Sequence, residues 1–281
     1  MAEEVEIRNG KGSAQAQMLP QTVFWRVREG IPKSLNFSLM ALSIIVPLSL
    51  WWIVSNSRLV KPLFLPTPNQ VLAALSRLWA EGTLPTDIRY SLFRVFSGFL
   101  LAAIISIPLG ILMGTFASLR ALLEPIVGIV RYMPAPAFIP LLILYFGLGE
   151  LPKVLLIFIG TLFFNTLMVM DAVKFVPKEL VEATYTLGGG RRQVLLGVIP
   201  PYILPNIIDT CRINMAASWN LLIVAELVAA TDGLGHLITQ GQRFLKTDEI
   251  FAGLIVIGLI GLTIDLSFRL LLQISCRWAN H

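Results

Sequence analysis

Hydrophobic residues of this chain fall into six long runs that polar segments separate. A helix needs about 20 apolar residues to cross the hydrocarbon core of a bilayer. Six windows of the sequence meet that requirement: 36–55, 92–116, 122–147, 153–173, 204–230 and 249–274. The pattern predicts an all-α membrane protein with six transmembrane helices.

Proline and glycine interrupt several of these runs. Pro47, Pro108 and Pro140 lie inside the first three runs, and Gly110 and Gly114 stand four positions apart in the second. Membrane helices tolerate such residues where neighbouring helices satisfy the backbone, and small residues let two helices approach closely. We therefore expect the pair Gly110 and Gly114 to pack inside the subunit.

The segment 56–90 is longer than a hairpin and carries a different helical pattern. Within Asn69–Glu81 apolar residues recur at helical spacing, at Val71, Leu72, Leu75, Leu78 and Trp79. This spacing predicts an amphipathic helix on the outer surface of the membrane. Thr67 or Asn69 is expected to cap its N-terminus.

Composition supports the membrane assignment. The chain is 56% hydrophobic and 14% charged, whereas a soluble domain carries about 25% charged residues. The net charge of +5 is spread over loops, as anionic lipid headgroups favour, so it does not indicate nucleic-acid binding. Two cysteines and two histidines without metal-ligand spacing predict no metal site.

Loop charges orient the chain. Placing the N-terminus in the cytoplasm puts more of the loop Lys and Arg residues there than on the other side, which the positive-inside rule favours. Residues 1–35 are polar and show no cleavable signal peptide, so a cytoplasmic N-terminal tail is expected. The transmembrane domain is expected to span 36–275, with 276–281 as a cytoplasmic C-terminus.

The loop 174–203 is the least membrane-like stretch after the first run. A short helix is predicted from Pro177 to Leu187, broken by three consecutive glycines at 188–190. A second short helix is predicted over Arg191–Val198, stopped by the prolines at 200 and 201. A membrane protein has no internal need for such an element, so the loop is expected to dock onto a partner.

This loop resembles the cytoplasmic signature of permeases from binding-protein-dependent ABC importers. That signature reads E-A-A, then a glycine, an apolar residue and a closing Leu-Pro. The matching positions are Glu182, Ala183, Gly188, Val198 and Pro201. Thr184 and Pro200 depart from the usual Ala and Leu. The resemblance implies the type I ABC importer permease fold in a bacterial inner membrane, with coupling helices between spans four and five that insert into an ATPase subunit.

A wider resemblance covers roughly residues 60–275. The stretches Phe64–Pro68, Arg131–Glu150 and Gly233–Gly235, together with Arg212, Trp219 and Glu226, are similar to the nitrate, sulfonate and bicarbonate class of these permeases. The taurine and alkanesulfonate members are the most similar. The resemblance implies that a small anion is carried, with nitrate and bicarbonate left open.

Partners and cofactors follow from the same resemblance. No GxxxxGK[ST] sequence occurs in the chain, so ATP and Mg are expected on a separate ATPase, and this chain is expected to be neither an enzyme nor a cofactor carrier. The expected assembly contains a second copy of the chain, two P-loop ATPase subunits and an extracytoplasmic substrate-binding protein, all in membrane lipid. The segment Thr231–Asp248 is expected to face the binding protein.

Polar residues at membrane depth are candidates for the translocation pathway, because buried charges in a membrane need partners or a function. The candidates are Arg131, Asn165, Arg212, Trp219, Asn220 and Glu226. Pairing between helices is the alternative interpretation for each. Arg212 and Glu226 are about 21 Å apart along one helix, at ~1.5 Å per residue, so they are not expected to pair with each other.

Other classes of function fit less well. An ion-coupled secondary transporter needs paired carboxylates in mid-membrane, and only Glu226 approaches that arrangement. A membrane enzyme needs a cluster of nucleophile, base or metal ligands, which the sequence does not offer. A purely structural membrane protein would not need the helix–glycine–helix loop. The secondary transporter is kept as the alternative.

Overall fold

The structure is a computed structural model that describes residues 31–57, 60–61 and 63–279. It divides into two compact units, Met1–Val54 and Ser55–His281, which are described separately. The first unit carries most of α1, Lys33–Asn56, which contains Pro47 and matches the predicted span 36–55. Residues 1–30 of the predicted N-terminal tail and 280–281 of the predicted C-terminus lie outside the described residues.

The second unit is built from helices joined by short connections. The helices in chain order are α2 (Pro68–Ala80), α3 (Thr83–Thr115), α4 (Ala117–Val130), α5 (Ile139–Phe146), α6 (Glu150–Val173), α7 (Lys178–Thr186), α8 (Arg191–Gln193), α9 (Ile199–Ala229), α10 (Leu234–Arg243) and α11 (Thr247–Ser275). Short 3-10 turns at Ala135–Phe138 and Arg277–Ala279 and a π-helical segment at Val194–Val198 complete it.

The part of the chain that the structure describes has five helices that could span a membrane, or the predicted six if the bent pair that replaces the third span is counted as one. Among the described residues, α1, α3, α6, the helical run Arg191–Val228 and α11 are each long and apolar enough to cross a membrane. The predicted span 122–147 is instead a pair of helical pieces, Ala117–Val130 and Ala135–Phe146, bent by 82°. The break falls in the middle of the span, because Pro134 and Pro136 lack the N–H groups that would continue α4.

The expectation that Pro200 and Pro201 stop a helix was wrong. Helical backbone continues from Arg191 through the π-helical segment into α9, where these prolines occupy the first turn. Proline lacks an N–H and its ring collides with the carbonyl four residues earlier. The wider π turn relieves that conflict immediately before the prolines, so the chain is remodelled there and not terminated.

Small residues set the closest contact of the second unit, between α3 and α6. A Cβ at Gly98 would lie 2.7 Å from the Ile157 Cβ, and one at Gly110 would lie 2.7 Å from the Thr166 carbonyl oxygen. Gly114 likewise faces Val173. The expected packing of Gly110 and Gly114 inside the subunit is confirmed, and its register shows that α3 and α6 run parallel.

Contacts between α6 and α9 run in the opposite sense. Thr161 bonds Ser218 and Asn165 bonds Asn214, while Val169 and Val173 share a core cluster with Ile199 and Ile203. Helices α6 and α9 are therefore antiparallel. The end of the bundle that carries residues 174–190 is called the loop end below. The end that carries the first turns of α3 and α6 and the last turn of α9 is called the opposite end.

The predicted amphipathic helix is α2, Pro68–Ala80. Of the two expected caps the structure has Thr67, whose hydroxyl accepts from the Gln70 amide while the Gln70 side chain accepts from the Thr67 amide. This reciprocal arrangement is a capping box. Val71 and Leu78 are buried, whereas Leu72 and Trp79 are exposed.

Candidate functional site

Residues 174–203, called the coupling loop below, form a hairpin at the loop end. Its tip around Gly188 is exposed, while Val194, Ile199 and Ile203 are buried. Glu182, Ala183 and Gly188 are exposed, and Leu187 is 88% exposed. Among the described residues, the Glu182 carboxylate has no hydrogen-bond or ion-pair partner. An exposed leucine beside a free carboxylate is what a docking surface presents before its partner binds. That these residues contact an ATPase stays a prediction.

Two glycines shape the end of α7. Gly188 has φ 82°, a conformation that favours glycine, and its amide donates to the Tyr185 carbonyl. The Gly189 amide donates to the Thr184 carbonyl. This pair of bonds is a Schellman motif, which satisfies carbonyls that the helix leaves open. The predicted break of the helix at glycines 188–190 is confirmed, and its turn is at Gly188. A Cβ at Gly189 would lie 2.6 Å from Thr184 Cγ2.

The coupling loop is attached firmly to the long helices. Val181 of α7 packs against a core cluster that joins α6, the π-helical segment and α9. The buried members of that cluster are Val169, Ala172, Val173, Val194, Ile199 and Ile203. Because the packed core connects α7 to both long helices, a push on α7 is passed on to them instead of being absorbed by a flexible loop. Val198 and Pro201, the remaining predicted coupling residues, lie where the π-helical segment meets α9.

A buried ionic cluster occupies the opposite end. Arg94 on α3, with no exposed side-chain surface, bonds the two carboxylate oxygens of Glu150 through Nε and Nη2 and bonds Glu226 Oε1 through Nη1 at 2.6 Å. Ser91 Oγ also donates to Glu226, at 2.8 Å. Asp87, Ser91, Arg94, Glu150 and Glu226 are called the Arg94 cluster below. It joins α3, α6 and α9 at one point.

The Arg94 cluster also fixes the start of α10. Backbone amides of three consecutive residues, Gly233, Leu234 and Gly235, donate to Asp87, Ser91 and Glu226 at 2.7, 2.9 and 2.8 Å. Arg94 Nη1 donates to the Asp232 carbonyl at 2.6 Å. A helix start needs acceptors for its first amides, and here the bundle supplies them. Gly233 has φ 118°, and a Cβ there would overlap Glu226 and Arg94.

Sequence reasoning named only Glu226 from this cluster, as a pathway candidate. In the structure Glu226 is 1% exposed and forms an ion pair with Arg94 of another helix, which is the alternative interpretation stated above. Arg94 was missed although it lies inside the predicted span 92–116 as a single arginine in an apolar run. That isolation was the available signal, because a charge inside a span implies a nearby partner.

Arg212 belongs to a second ionic group nearer the loop end. It donates to Asp209 at 2.8 Å and to Asp265 of α11 at 3.1 Å, and Asp265 also accepts from Arg269. Arg212 and Glu226 therefore have separate partners, as their separation along α9 required. Asp171, another charge at the edge of a span, pairs with Lys174 on the surface.

Two cavities flank α9, and three of the remaining candidates, Arg131, Trp219 and Asn220, line them. The first, about 430 Å³, lies at the break between α4 and α5, and Arg131, Asn214 and Asn220 line it. It is called the Arg131 cavity below. The second, about 250 Å³, lies between α9 and α11 and is lined by Arg212, Trp219 and Asn220 among others. Asn220 thus borders both cavities.

Asn165 and Trp219 are buried between helices. Asn165 Oδ1 accepts from Asn214 at 2.6 Å, while its Nδ2 has no hydrogen-bond partner among the described residues. Trp219 Nε1 is likewise buried and unpartnered within that part of the chain. Trp219 is on α9, the helix that the two cavities share, and Asn165 is on α6, where it faces Asn214 of α9. Their placement in a translocation pathway stays a prediction.

Known proteins with similar sequences are membrane subunits of transport systems. The profile of the family described as "Binding-protein-dependent transport system inner membrane component" matches residues 106–279. The taurine transport system permease protein of Escherichia coli (strain K12) is 36% identical over 252 residues, covering 88% of this chain and 92% of that protein. A Bacillus subtilis (strain 168) protein assigned to aliphatic sulfonates transport is 32% identical over 235 residues, covering 84% and 85%.

Solved structures show the same fold. A chain of the MetNI methionine ABC transporter, in an inward facing conformation, superposes with a TM-score of 0.62 at 20% identity. The match covers 67% of this chain and 94% of that one. A chain of an amino acid ABC transporter gives a TM-score of 0.56 at 16% identity, covering 72% and 97%. The helices described above are arranged as in ABC importer permeases.

Proposed function

This chain belongs to the family of binding-protein-dependent transport system inner membrane components, and on that premise we propose that it is the membrane subunit of an ATP-driven importer for a small sulfonate-type anion. The proposal extends the family assignment in two ways. It names ATP hydrolysis on a separate subunit as the energy source, and it names the class of solute. Two relatives named as taurine and aliphatic sulfonates transport permeases support the proposed class of solute.

The observation that carries the proposal is the coupling loop. It presents an exposed, unpartnered face on Glu182, Ala183 and Leu187, yet Val181 joins its helix to the core of α6 and α9. A rigid element that protrudes from the bundle converts the closing motion of a partner into movement of the long helices. The loop end then faces the cytoplasm, where ATP is available, and α10 at the opposite end faces the binding protein.

The assembly follows from what one chain lacks. It supplies one coupling loop and no P-loop sequence, so we propose two copies of this chain and two ATPase subunits, with ATP and Mg bound by the ATPases. One extracytoplasmic binding protein delivers the anion at the opposite end. The chain then lies in a bacterial inner membrane, with its N- and C-termini on the cytoplasmic side.

Reconstitution tests the proposal directly. The chain, its ATPase and its binding protein are placed in proteoliposomes, and uptake of radiolabelled taurine and ethanesulfonate is measured with and without ATP. We expect uptake only when all three proteins and ATP are present. Liposomes without the ATPase, but with a proton or sodium gradient, are the control. Full uptake in that control would support the ion-coupled secondary transporter and overturn the proposal.

A further inference from the structure

Three arginines differ in how their charge is balanced: Arg94 on α3, Arg212 on α9, and Arg131 in the turn after α4. Arg94 is bonded to Glu150 and Glu226, and Arg212 is bonded to Asp209 and Asp265. Within the described residues Arg131 has no carboxylate within 4.0 Å. Arg131 is therefore the one of the three that lacks a counter-ion in the described part of the chain. An unpaired cation is costly at membrane depth, which indicates that Arg131 has a function.

Neighbouring groups hold the Arg131 side chain in place without neutralising it. Its Nη2 donates to the Tyr132 hydroxyl at 2.8 Å, and its guanidinium carbon lies 4.7 Å from the centre of the Tyr132 ring. Arg131 Nε is buried and has no partner in the described part of the chain. An aromatic ring orients a guanidinium and leaves its net charge intact. Tyr132 is itself 76% exposed, so this contact orients the guanidinium locally and leaves its other donors open.

The Arg131 cavity lies near the middle of the bundle. Arg131 follows the 14-residue helix α4, which starts at the loop end, so it lies about 21 Å from that end at ~1.5 Å per residue. Asn214 and Asn220 lie in the central part of the 31-residue helix α9. The cavity opens at the 82° break of the third span. Broken helices at mid-membrane are where other transporter folds place their solutes.

Its lining selects a chemical class of solute. Four side chains with polar groups line it, from Arg131, Tyr132, Asn214 and Asn220. The other lining side chains are apolar, and none of the lining residues carries a carboxylate. Arg presents a planar set of N–H donors that suits oxyanions, and the apolar walls suit a hydrocarbon tail. A volume of about 430 Å³ holds a solute of a few heavy atoms.

We propose that the Arg131 cavity is a sulfonate subsite within the membrane, in which Arg131 binds the sulfonate group and the apolar walls contact the organic tail. This inference rests on the proposed function, since it names where that solute passes. Arg131 would be the specificity-determining cation of the permease itself, separate from whatever the binding protein selects.

Binding to the permease–ATPase complex without the binding protein tests the subsite. Ethanesulfonate is the probe, sodium chloride at equal ionic strength is its control, and the shift of the apparent melting temperature is titrated. Arg131→Gln is expected to weaken ethanesulfonate binding about 10- to 100-fold, as expected for losing hydrogen bonds from a charged donor. Ala217→Phe, which keeps the cation and fills the cavity, is expected to weaken binding too. Arg277→Gln, an exposed charge outside the cavity, is the matched control.

The outcomes separate this inference from the function on which it rests. Reconstituted Arg131→Gln complexes are expected to lose sulfonate uptake, with Arg131→Lys intermediate, while Arg277→Gln complexes keep both uptake and binding-protein-stimulated ATPase activity. Unchanged ethanesulfonate binding and uptake in both Arg131→Gln and Ala217→Phe would overturn the subsite and leave the importer intact. Dissociation of the dimer by Arg131→Gln, seen by light scattering, would also overturn it, because the cation would then belong to the subunit interface. Absence of ATP-driven uptake in the wild type would instead refute the proposed function.

Discussion

The two ends of this bundle satisfy their polar groups in different ways. At the opposite end, the Arg94 cluster matches a buried guanidinium with two carboxylates and bonds three consecutive backbone amides of the α10 start. At the loop end, the Glu182 carboxylate is exposed and Leu187 is 88% exposed. Charge that is buried must be paired internally, whereas charge that is exposed is available to another molecule.

The contrast separates residues that hold the bundle together from residues that act on a partner. Removing one member of the Arg94 cluster leaves another charge buried without its counter-ion. Removing Glu182 leaves nothing buried, because water already surrounds it. We therefore expect mutations in the Arg94 cluster to lower stability strongly. Mutations at the exposed tip of the coupling loop should instead reduce coupling to ATP hydrolysis while changing stability little.

Arg94→Gln is expected to have the largest effect on stability. It leaves the fully buried Glu226 carboxylate without its cation, and breaking a buried ion pair costs about 3–5 kcal/mol. The apparent melting temperature of the purified complex should fall steeply, and transport should be lost with it. Lys174→Gln at the loop end is the control, since Lys174 and Asp171 are half-exposed and such pairs contribute about 0–1 kcal/mol.

A double variant identifies the cause of that loss. Arg94→Gln combined with Glu226→Gln removes both buried charges, so we expect it to recover part of the lost stability. If the double variant were less stable than Arg94→Gln by the full cost of Glu226→Gln alone, the two side chains would be energetically independent. The description of a coupled cluster would then be wrong.

Gly233 at the opposite end and Gly188 at the loop end both have positive φ, and replacing each by alanine should change stability by an intermediate amount. Gly233→Ala requires φ 118° and places a Cβ against Glu226 and Arg94, whereas Gly188→Ala requires φ 82° in open space. Gly188→Ala should cost about 1–2 kcal/mol, the cost of left-handed backbone for a residue with a Cβ. Gly233→Ala should cost more, because it also disrupts the cluster. Gly128→Ala, a helical glycine with nothing within 4 Å, is the neutral control in the same melting measurement. Equal losses at Gly188 and Gly233 would show that only backbone strain matters.

Sequence patterns predicted the long helices because hydrophobic length is a local property. They also predicted the α2 cap at Thr67, the turn at Gly188 and the packing of Gly110 and Gly114, each of which depends on residues close together in the chain or on one helix face. The span bounds were less accurate. Helix α3 begins at Thr83 and not near residue 92, because helical hydrogen bonds continue through polar turns that a hydropathy window leaves out.

The Arg94 cluster and the break of the third span were beyond such patterns. Arg94 and Glu226 are 132 residues apart, and their pairing depends on how α3 and α9 pack. The prolines at 134 and 136 indicated a disturbed helix, but its 82° angle and the cavity beside it depend on α6 and α9. The π-helical segment before Pro200 was missed because a pair of prolines ordinarily ends a helix.

Glu182→Ala is expected to change stability least and is the sharpest test of the comparison. The side chain is exposed and has no partner among the described residues. The stability of the isolated permease, followed by its melting temperature, should therefore change by no more than the ~0.5 kcal/mol typical of surface substitutions. Transport and binding-protein-stimulated ATPase activity of the full complex should nevertheless fall, because the carboxylate is proposed to contact the ATPase. Glu81→Ala, an exposed carboxylate after α2, is the matched control and should leave the ATPase activity unchanged. The opposite result would contradict the roles assigned to the two ends: a Glu182→Ala permease with a lower melting temperature whose folded fraction keeps normal binding-protein-stimulated ATPase activity.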